Sequence, residues 1–219
     1  MRTSDFSFEV PEELIAQRPP DVRGTSRLLV VRRDSGQLAD ALVADLPSLV
    51  SPNTLVVLND TRVVKARLFA RAADTGGAVE VLLLRPEGPT AWQAIVSKAR
   101  RQRVGRLLRF PEGRLGRVIG EDDAVRTLDF DPPIDLAYLE RNGHVPLPPY
   151  IHRGDDARDA ERYQTVFARE PGSAAAPTAG LHPTEDLLQA LRARGVQTAR
   201  LTLHVGLGTF APIRSERIE

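Results

Sequence analysis

The chain has 219 residues, of which 42% are hydrophobic and 27% are charged, and this composition is typical of a soluble globular protein. It contains no cysteine, which excludes disulfide bonds and thiolate metal sites. No apolar run reaches the roughly 18 residues of a membrane-spanning helix, and the first residues lack the apolar core of a secretory signal. We therefore expect a cytoplasmic protein that does not bind a membrane.

The net charge is only +1, but the basic residues are unevenly distributed along the chain. Residues 95–118 carry a charge of +7, with Glu112 as their single acid, so the rest of the chain sums to −6. A local basic patch on a mildly acidic body suits a polyanion, although a solvated charged face would have the same composition. The basic residues of this patch are Lys98, Arg100, Arg101, Arg103, Arg106, Arg109, Arg114 and Arg117.

The first 62 residues favour a mixture of short helices and strands. The pattern predicts a short helix over residues 12–17, a strand over 28–31 and near-helical leucine spacing over 38–50. A continuous apolar run over residues 54–58 predicts a buried strand that ends in the polar cluster 59–62. Polar clusters at strand ends are the usual setting of sites in α/β proteins.

The middle of the chain predicts an antiparallel β module, because short apolar segments alternate with Gly, Pro and Asp. Beyond it, the sequence predicts helices over residues 134–142 and 184–194 and a last strand over 198–210. The whole pattern indicates an α/β domain interrupted by a β module. We assign residues 1–66 to the first part of the α/β domain, 67–133 to the inserted antiparallel β domain and 134–219 to the second part. The predicted strands of the module are residues 79–84, 91–96, 106–110, 117–119 and 125–130.

Residues 172–182 form a loop of small side chains that leads into a predicted helix N-terminus. Such a loop lets a ligand approach the backbone, and the free N–H groups with the helix dipole favour an anion. The alternative is a loop that only packs. The candidate ligand-binding residues are Ala176, Pro177, Thr178, Ala179 and Gly180.

A second segment that allows close approach follows the last predicted strand and contains Gly206, Gly208 and Thr209. It lacks the third glycine and the following helix of a dinucleotide-binding fingerprint. His182 and His204 lie beside these two glycine-containing segments, and a histidine can take and return a proton near neutral pH. Each histidine, taken alone, is also compatible with a structural role.

Two further groups complete the candidate residues. Arg62, with Asn59 and Thr61 nearby, could bind a carboxylate or phosphate, or the segment could be an exposed turn. Tyr163 and Gln164 could stack on and hydrogen-bond to a base, or could follow ordinary core and surface alternation. No spacing of His, Asp and Glu resembles a metal site, so we expect no metal.

Five motifs, in chain order, resemble those of the S-adenosylmethionine:tRNA ribosyltransferase-isomerase family. Each motif is moderately specific by itself, and the five in order are highly specific. Residues 5–11 are similar to the start of that family. The motifs are residues 59–63 (NDTRV), 143–151 (GHVPLPPYI), 163–166 (YQTV), 175–182 (AAPTAGLH) and 203–210 (LHVGLGTF).

The resemblance implies an enzyme of queuosine biosynthesis that modifies tRNA. Such an enzyme transfers and isomerises the ribosyl group of its co-substrate S-adenosylmethionine onto the 7-aminomethyl-7-deazaguanine at the tRNA wobble position. The products are epoxyqueuosine-tRNA, adenine and methionine. The resemblance also implies an α/β barrel-like domain with an inserted antiparallel β-barrel domain, and a protein that we expect to be a monomer.

The same resemblance suggests a role for each candidate group. His204 or His182 would transfer the proton, without a choice between them. The residues of the two small-residue segments, together with Asn59, Thr61 and Arg62, would bind S-adenosylmethionine. The precursor tRNA would contact Tyr163, Gln164, Lys98, Arg100, Arg101 and Arg103.

Two positions depart from the family pattern, because Lys65 stands in place of a usual proline and Pro183 in place of a usual aromatic residue. The resemblance also implies that family members extend well beyond this length, so we expect missing strands and catalytic groups and weak or no activity from this chain alone. A different hypothesis is a truncated, inactive remnant that only binds tRNA. A methyltransferase is disfavoured by the motif set.

Overall fold

The computed structural model describes residues 1–206, 213 and 215–218. Within these residues the α-helices are α1 (Leu46–Leu49), α2 (Leu136–Asn142), α3 (Asp159–Arg162) and α4 (Glu185–Ala193). The strands are β1 (Arg27–Val31), β2 (Leu38–Leu42), β3 (Leu55–Asn59), β4 (Thr61–Val63), β5 (Arg67–Ala72), β6 (Ala78–Pro86), β7 (Ala91–Val96), β8 (Leu107–Arg109), β9 (Leu115–Asp122), β10 (Val125–Asp131), β11 (Glu170–Ser173) and β12 (Gln197–Leu201).

Strands β5 to β10 form a closed antiparallel barrel in the order β10-β7-β6-β5-β8-β9. The period-two alternation of strand side chains sends one set inward, and on β5 that set is Leu68, Ala70 and Ala72. The prediction of an antiparallel β-barrel is confirmed. Strand β5 was missed by the sequence analysis because its alternation uses two alanines, which give a weak apolar signal.

Helix α2 packs on the barrel. Its first turn is capped by Asp135, whose Oδ1 accepts a hydrogen bond from the Tyr138 amide at 2.7 Å. Tyr138 and Leu139 are fully buried in the same apolar cluster as the barrel interior. The Tyr138 hydroxyl donates to the Pro111 carbonyl at 3.1 Å, and burial raises the pKa of Tyr138 to about 12.

The rest of the chain contains two parallel strand pairs, β3 with β12 and β4 with β11, and an antiparallel hairpin of β1 and β2. Helix α4 covers one face of β3, where Leu58 packs with Leu187, Leu188 and Leu191. Its N-cap is Thr184, whose hydroxyl accepts from the Leu187 amide at 3.1 Å. The expected α/β barrel-like arrangement is not confirmed, because the described residues form separate two-stranded parallel sheets.

Strand β12 is shorter than the expected strand over residues 198–210. Its backbone pairs with β3 only as far as Asn59. Beyond that point the Asn59 side chain, rather than strand backbone, hydrogen-bonds to the chain that follows β12. Its Nδ2 donates to the Leu203 carbonyl at 2.9 Å, and its Oδ1 accepts from the Leu203 amide at 3.0 Å. In the described part of the chain no helix is long and apolar enough to cross a membrane.

We predict that the carboxylate of Glu112 stabilises the contact between α2 and the barrel in a pH-dependent manner. Arg141 donates to both of its oxygens, at 3.0 and 3.2 Å, and Asn142 donates at 2.8 Å. These hydrogen bonds, led by those from Arg141, lower the pKa of Glu112 to about 2 from an ordinary value of 4.5. The folded state therefore prefers the ionised form, so this stabilisation is complete above pH 4.5 and is lost as the pH falls towards 2.

Urea denaturation of the wild-type chain and of Glu112→Gln at pH 7, 5, 4 and 3 would measure this effect. The variant should be less stable at pH 7, and the difference should shrink as the pH falls. Glu9→Gln, which changes an exposed residue of the N-terminal segment, is the control. A difference between Glu112→Gln and wild type that does not change with pH would contradict the prediction.

Candidate functional site

Asp60 lies between β3 and β4 and joins the two parallel strand pairs. It is fully buried, and its amide donates to the Leu201 carbonyl at 2.9 Å. Its carbonyl accepts from the amides of Arg169 and Glu170, and its Oδ1 accepts from the Thr202 hydroxyl at 2.7 Å. Asp60 therefore places the ends of β3, β4, β11 and β12 side by side, and we call Asn59, Asp60, Thr61, Ser173 and His204 the strand-end cluster.

His204 is held in the strand-end cluster by one hydrogen bond and one close contact. The Thr61 hydroxyl lies 2.7 Å from Nδ1 of His204. A methyl group on Gly172 would lie 3.0 Å from both Cε1 and Nε2 of the same ring, so the imidazole needs a glycine at this position. Gly172 also has a φ of +147°, a conformation that residues with a side chain rarely adopt.

Ser173 connects β11 to the segment that follows β12. Its hydroxyl donates to the Ala175 carbonyl at 2.7 Å and accepts from the Val205 amide at 2.9 Å. The Ala174 amide donates to the Val205 carbonyl at 3.1 Å. The first half of the small-residue loop is thus bound to the chain around His204.

The two halves of the loop 172–182 differ in exposure. Residues 173–176 are buried, and Ala176 lies in an apolar cluster with Val63, Val145 and Tyr163. Thr178 and Ala179 are exposed, and Gly180 packs against Phe167 and Thr165. The packing interpretation therefore describes the first half of the loop, and the second half faces solvent.

The second half of the loop opens into a cavity of about 360 Å³. We call it the arginine cavity. Its apolar wall contains Pro19, Pro20, Leu147, Pro148 and Ile151. Its polar and aromatic lining includes Arg23, Tyr150, Arg153, Arg162, Tyr163, Thr178 and His182.

Two guanidinium groups in the arginine cavity repel each other. Burial, and after it the positive charge of Arg162, lower the pKa of Arg23. The Arg23 guanidinium donates to the carbonyls of Leu181, at 2.6 Å, and Glu161, at 3.3 Å, so it is fixed in place. Arg162 Nη1 donates to the Asp21 carbonyl at 2.9 Å, but its buried Nε has no hydrogen-bond partner among the residues that the structure describes. Because the two positive charges repel each other, an anion bound beside both guanidiniums would be electrostatically favourable.

The charge of Arg153 in the same cavity is neutralised within the protein. Its guanidinium donates to both oxygens of Asp159, at 2.6 and 2.8 Å. Asp159 is buried, and the hydrogen bonds from Arg153 hold the pKa of its carboxyl below the ordinary value. This pair fixes the wall of the cavity. Arg18, which also lines the cavity, is paired with Asp156 at 2.7 Å, so Arg23 and Arg162 are the lining arginines without a salt bridge among the described residues.

Tyr163 and Gln164 have different environments. Tyr163 is buried in the cavity wall, and desolvation raises the pKa of its hydroxyl. The Gln164 side chain binds the backbone of Val63, because Oε1 accepts from the amide at 2.8 Å and Nε2 donates to the carbonyl at 3.0 Å. Gln164 therefore extends the edge of β4.

The connection between β7 and β8 presents the basic residues Lys98, Arg100, Arg101 and Arg103. All four side chains are exposed. Buried Arg126 of β10 holds this connection, since its guanidinium donates to the carbonyls of Ala99, at 2.7 Å, and Gln102, at 2.5 Å. Acidic residues lie nearby, because Arg100 and Arg103 share a concave surface with Glu121, Asp122 and Asp123. The patch is therefore less positive in space than in sequence.

The structure places the predicted residues in separate surroundings. The arginine cavity brings together His182, Thr178 and Tyr163. His204 and Thr61 lie in the strand-end cluster, and both polar atoms of the Asn59 amide bind backbone. Other predicted residues lie elsewhere: Arg62 is exposed beside a small cavity, Gly206 and Pro177 are half-buried, and Gly208 and Thr209 are outside the described residues.

Sequence reasoning missed Arg23, Arg153 and Arg162. Each arginine is one of 30 basic residues and shows no distinctive spacing, so composition offers no signal for them. The one sequence feature beside them is Gly24, which directly follows Arg23. In the structure Gly24 adopts a φ of +90°. Within the described residues, no group of three or more His, Asp or Glu side chains is arranged to hold a metal ion.

Comparison with known proteins gives consistent matches. A family model described as queuosine biosynthesis protein matches residues 3–219. A relative from Treponema denticola named S-adenosylmethionine:tRNA ribosyltransferase-isomerase is 43% identical, over 100% of this chain and 65% of its own length. A relative of the same name from Anaeromyxobacter dehalogenans is 50% identical, again over 100% of this chain and 65% of its own length.

A crystal structure of S-adenosylmethionine tRNA ribosyltransferase from Thermotoga maritima is 29% identical and has a TM-score of 0.37. The match covers 92% of this chain and 58% of that one. The chain thus spans 65% of the length of the two curated relatives described above.

We predict that Gly172→Ala displaces His204 and destabilises the protein. The matched control is Gly88→Ala, because Gly88 has a φ of +148° and no other atom lies within 4 Å of the place that an added methyl group would take. Both substitutions place a side chain on a residue with nearly the same positive φ. Only the methyl group added at Gly172 would collide with the imidazole of His204. We expect Gly172→Ala to cost about 1–3 kcal/mol more than the control in denaturant unfolding. In a His204→Ala background this excess should vanish, and an unchanged excess would show that the ring is not responsible.

Proposed function

The chain belongs to the queuosine biosynthesis protein family, and from this premise we propose that it acts in tRNA modification. The proposed reaction transfers and isomerises the ribosyl group of S-adenosylmethionine onto 7-aminomethyl-7-deazaguanine at the wobble position of a precursor tRNA. The products are epoxyqueuosine-tRNA, adenine and methionine. The relatives' printed name supports this reaction, and a cytoplasmic monomer fits it.

The arginine cavity is the proposed site of S-adenosylmethionine. The main observation in support is that the guanidiniums of Arg23 and Arg162 are neighbours and repel each other. In the described part of the chain the buried Nε of Arg162 also has no hydrogen-bond partner. The methionyl carboxylate is the anion that would neutralise this pair through charge-assisted hydrogen bonds. The apolar wall and the rings of Tyr150 and Tyr163 offer surfaces for adenine.

When bound, S-adenosylmethionine supplies the ribosyl group and a sulfonium that acidifies the adjacent ribose carbon and makes methionine a good leaving group. His182 is exposed at the cavity and follows directly after the helical turn Thr178–Leu181. We assign it the proton transfer, because its imidazole can reach a bound ligand. His204 remains the second candidate, with its ring already oriented by Thr61.

The connection held by Arg126 is the proposed contact for tRNA phosphates. Its side chains Lys98, Arg100, Arg101 and Arg103 would position the polyanion by charge, without reading sequence. Asn59 and Gln164, which the sequence analysis assigned to ligands, bind backbone and instead support the neighbouring site residues.

The experiment that tests the proposed function is a mass balance on the 219-residue chain with S-adenosylmethionine and precursor tRNA. Adenine, methionine and the mass of the modified tRNA are measured together. Equal molar amounts of all three products would support the reaction. Formation of S-adenosylhomocysteine would indicate a methyltransferase, and tRNA binding without any adenine release would favour the remnant that only binds tRNA.

We predict that Arg162→Met weakens S-adenosylmethionine binding by about tenfold or more, because a charge-assisted hydrogen bond contributes about 1.5–3 kcal/mol. Titration calorimetry of the wild-type chain and the variant would measure it. The matched control is Arg192→Met, which changes an exposed arginine on α4.

In the mass balance, His182→Ala should reduce product formation more than His204→Ala. Near-normal product formation in both histidine variants would refute the assignment of either as the base.

We predict that replacing Arg100, Arg101 and Arg103 by Ala weakens tRNA binding and flattens its dependence on salt. Each lost phosphate contact should reduce the slope of log affinity against log salt by about 0.9. The control replaces the exposed Arg32, Arg33 and Arg192 by Ala, which removes the same charge elsewhere. Equal tRNA affinity and equal salt slope in the two triple variants would indicate that the basic patch is a solvated charged face that does not bind tRNA.

A further inference from the structure

The outer wall of the β-barrel carries side chains that the proposed reaction does not use. On β5 the outward-facing residues are Arg67, Phe69 and Arg71, which gives an aromatic ring between two basic residues. Phe69 is 51% exposed, so its ring is accessible to a ligand from solvent.

Phe69 forms a fixed aromatic pair with His144. The ring centroids are 4.8 Å apart and the planes meet at 66°. His144 Nδ1 lies 2.9 Å from Asp155 Oδ1, and the other oxygen of Asp155 accepts from the Val145 amide at 3.0 Å. The backbone of His144 is bound to Arg67 of β5. The two rings are therefore held in place before any ligand arrives.

Next to this pair, two arginines face each other across neighbouring strands. Arg71 of β5 lies directly opposite Arg109 of β8, and both are exposed. Like charges in directly opposite positions are destabilising. Neither arginine has a carboxylate partner within salt-bridge distance among the described residues. Glu80, which lies opposite Phe69, is already paired with Arg67 at 3.2 Å.

We propose that this wall, consisting of Phe69, Arg71, Arg109 and His144, binds single-stranded nucleotides of the tRNA. An unpaired base would stack on the exposed Phe69 ring, which the edge-to-face contact with His144 holds in place, and the adjoining phosphates would bind Arg71 and Arg109. Phe69 and Arg71 are about 7 Å apart along the strand, so one nucleotide can contact both. The proposal rests on the proposed function for the identity of the RNA, and it adds a contact surface separate from residues 98–103.

The stacking part is tested with a single-stranded RNA oligonucleotide that carries the fluorescent base 2-aminopurine, and with precursor tRNA. Phe69→Leu removes the ring but keeps an apolar side chain, so the fold should be retained. We expect about tenfold weaker binding and loss of the fluorescence quenching, whereas Phe69→Trp should retain both. The control is Phe8→Ala, which removes a ring that is 81% exposed in the N-terminal segment.

The phosphate part is tested by the double variant Arg71→Ala with Arg109→Ala. Removing two contacts to a single strand should flatten the salt dependence of oligonucleotide binding by about 1.4, or about 0.7 for each contact. The double variant Arg33→Ala with Arg192→Ala removes the same charge at other exposed positions and should leave the slope unchanged. Thermal denaturation of each variant confirms that the fold is intact.

The two proposals fail in distinguishable ways. If wild-type chain binds precursor tRNA and forms adenine, methionine and modified tRNA, while the Phe69 and Arg71–Arg109 variants bind both RNAs within twofold of wild type, the wall is not a nucleotide surface and the proposed function stands. If wild-type chain binds oligonucleotides with quenching but shows no preference for precursor tRNA and no reaction, the wall is supported and the proposed function is wrong.

Discussion

The arrangement of the strand ends depends on the burial of Asp60. Buried polar groups need partners within the protein. The amide, carbonyl and Oδ1 of Asp60 find them in two different strand pairs, and its Oδ2 forms an ion pair with Arg169 at 3.2 Å. Its amide and Oδ1 bind the chain at the end of β12, and its carbonyl binds the chain at the start of β11. The same constraint brings Thr61 within hydrogen-bond distance of His204.

Two kinds of site follow from this arrangement, and they differ in how far the protein satisfies them. In the strand-end cluster most polar side-chain atoms are paired with neighbouring backbone or side chains, and the hydrogen bond with Thr61 orients His204. In the arginine cavity, Arg153 is neutralised by Asp159, while Arg23 and Arg162 repel each other. A cavity that holds uncompensated charge is better suited to an anionic ligand than one in which every group is paired.

The barrel was predictable because its strands are local patterns bounded by turn residues, and β7 was predicted at its observed bounds, Ala91–Val96. Strand β5 escaped prediction, since its alanines carry little apolar signal. At the arginine cavity, His182 and Thr178 were predicted as candidates because small residues precede a helix, and both line the cavity. Arg23 and Arg162 were not found, because they are distant in sequence and only the folded chain makes them neighbours.

The sequence by itself determined the antiparallel barrel, helix α4 and the family, because these depend on local alternation, on the residues that begin and end a helix and on ordered motifs. Tertiary structure decided which polar groups are free to meet a ligand. Asn59 and Gln164 bind backbone, whereas an arginine without any motif, Arg162, keeps a buried donor without a partner in the described chain. The reason is physical: a polar side chain is available only when folding leaves it unpaired, and pairing is a property of neighbours in space.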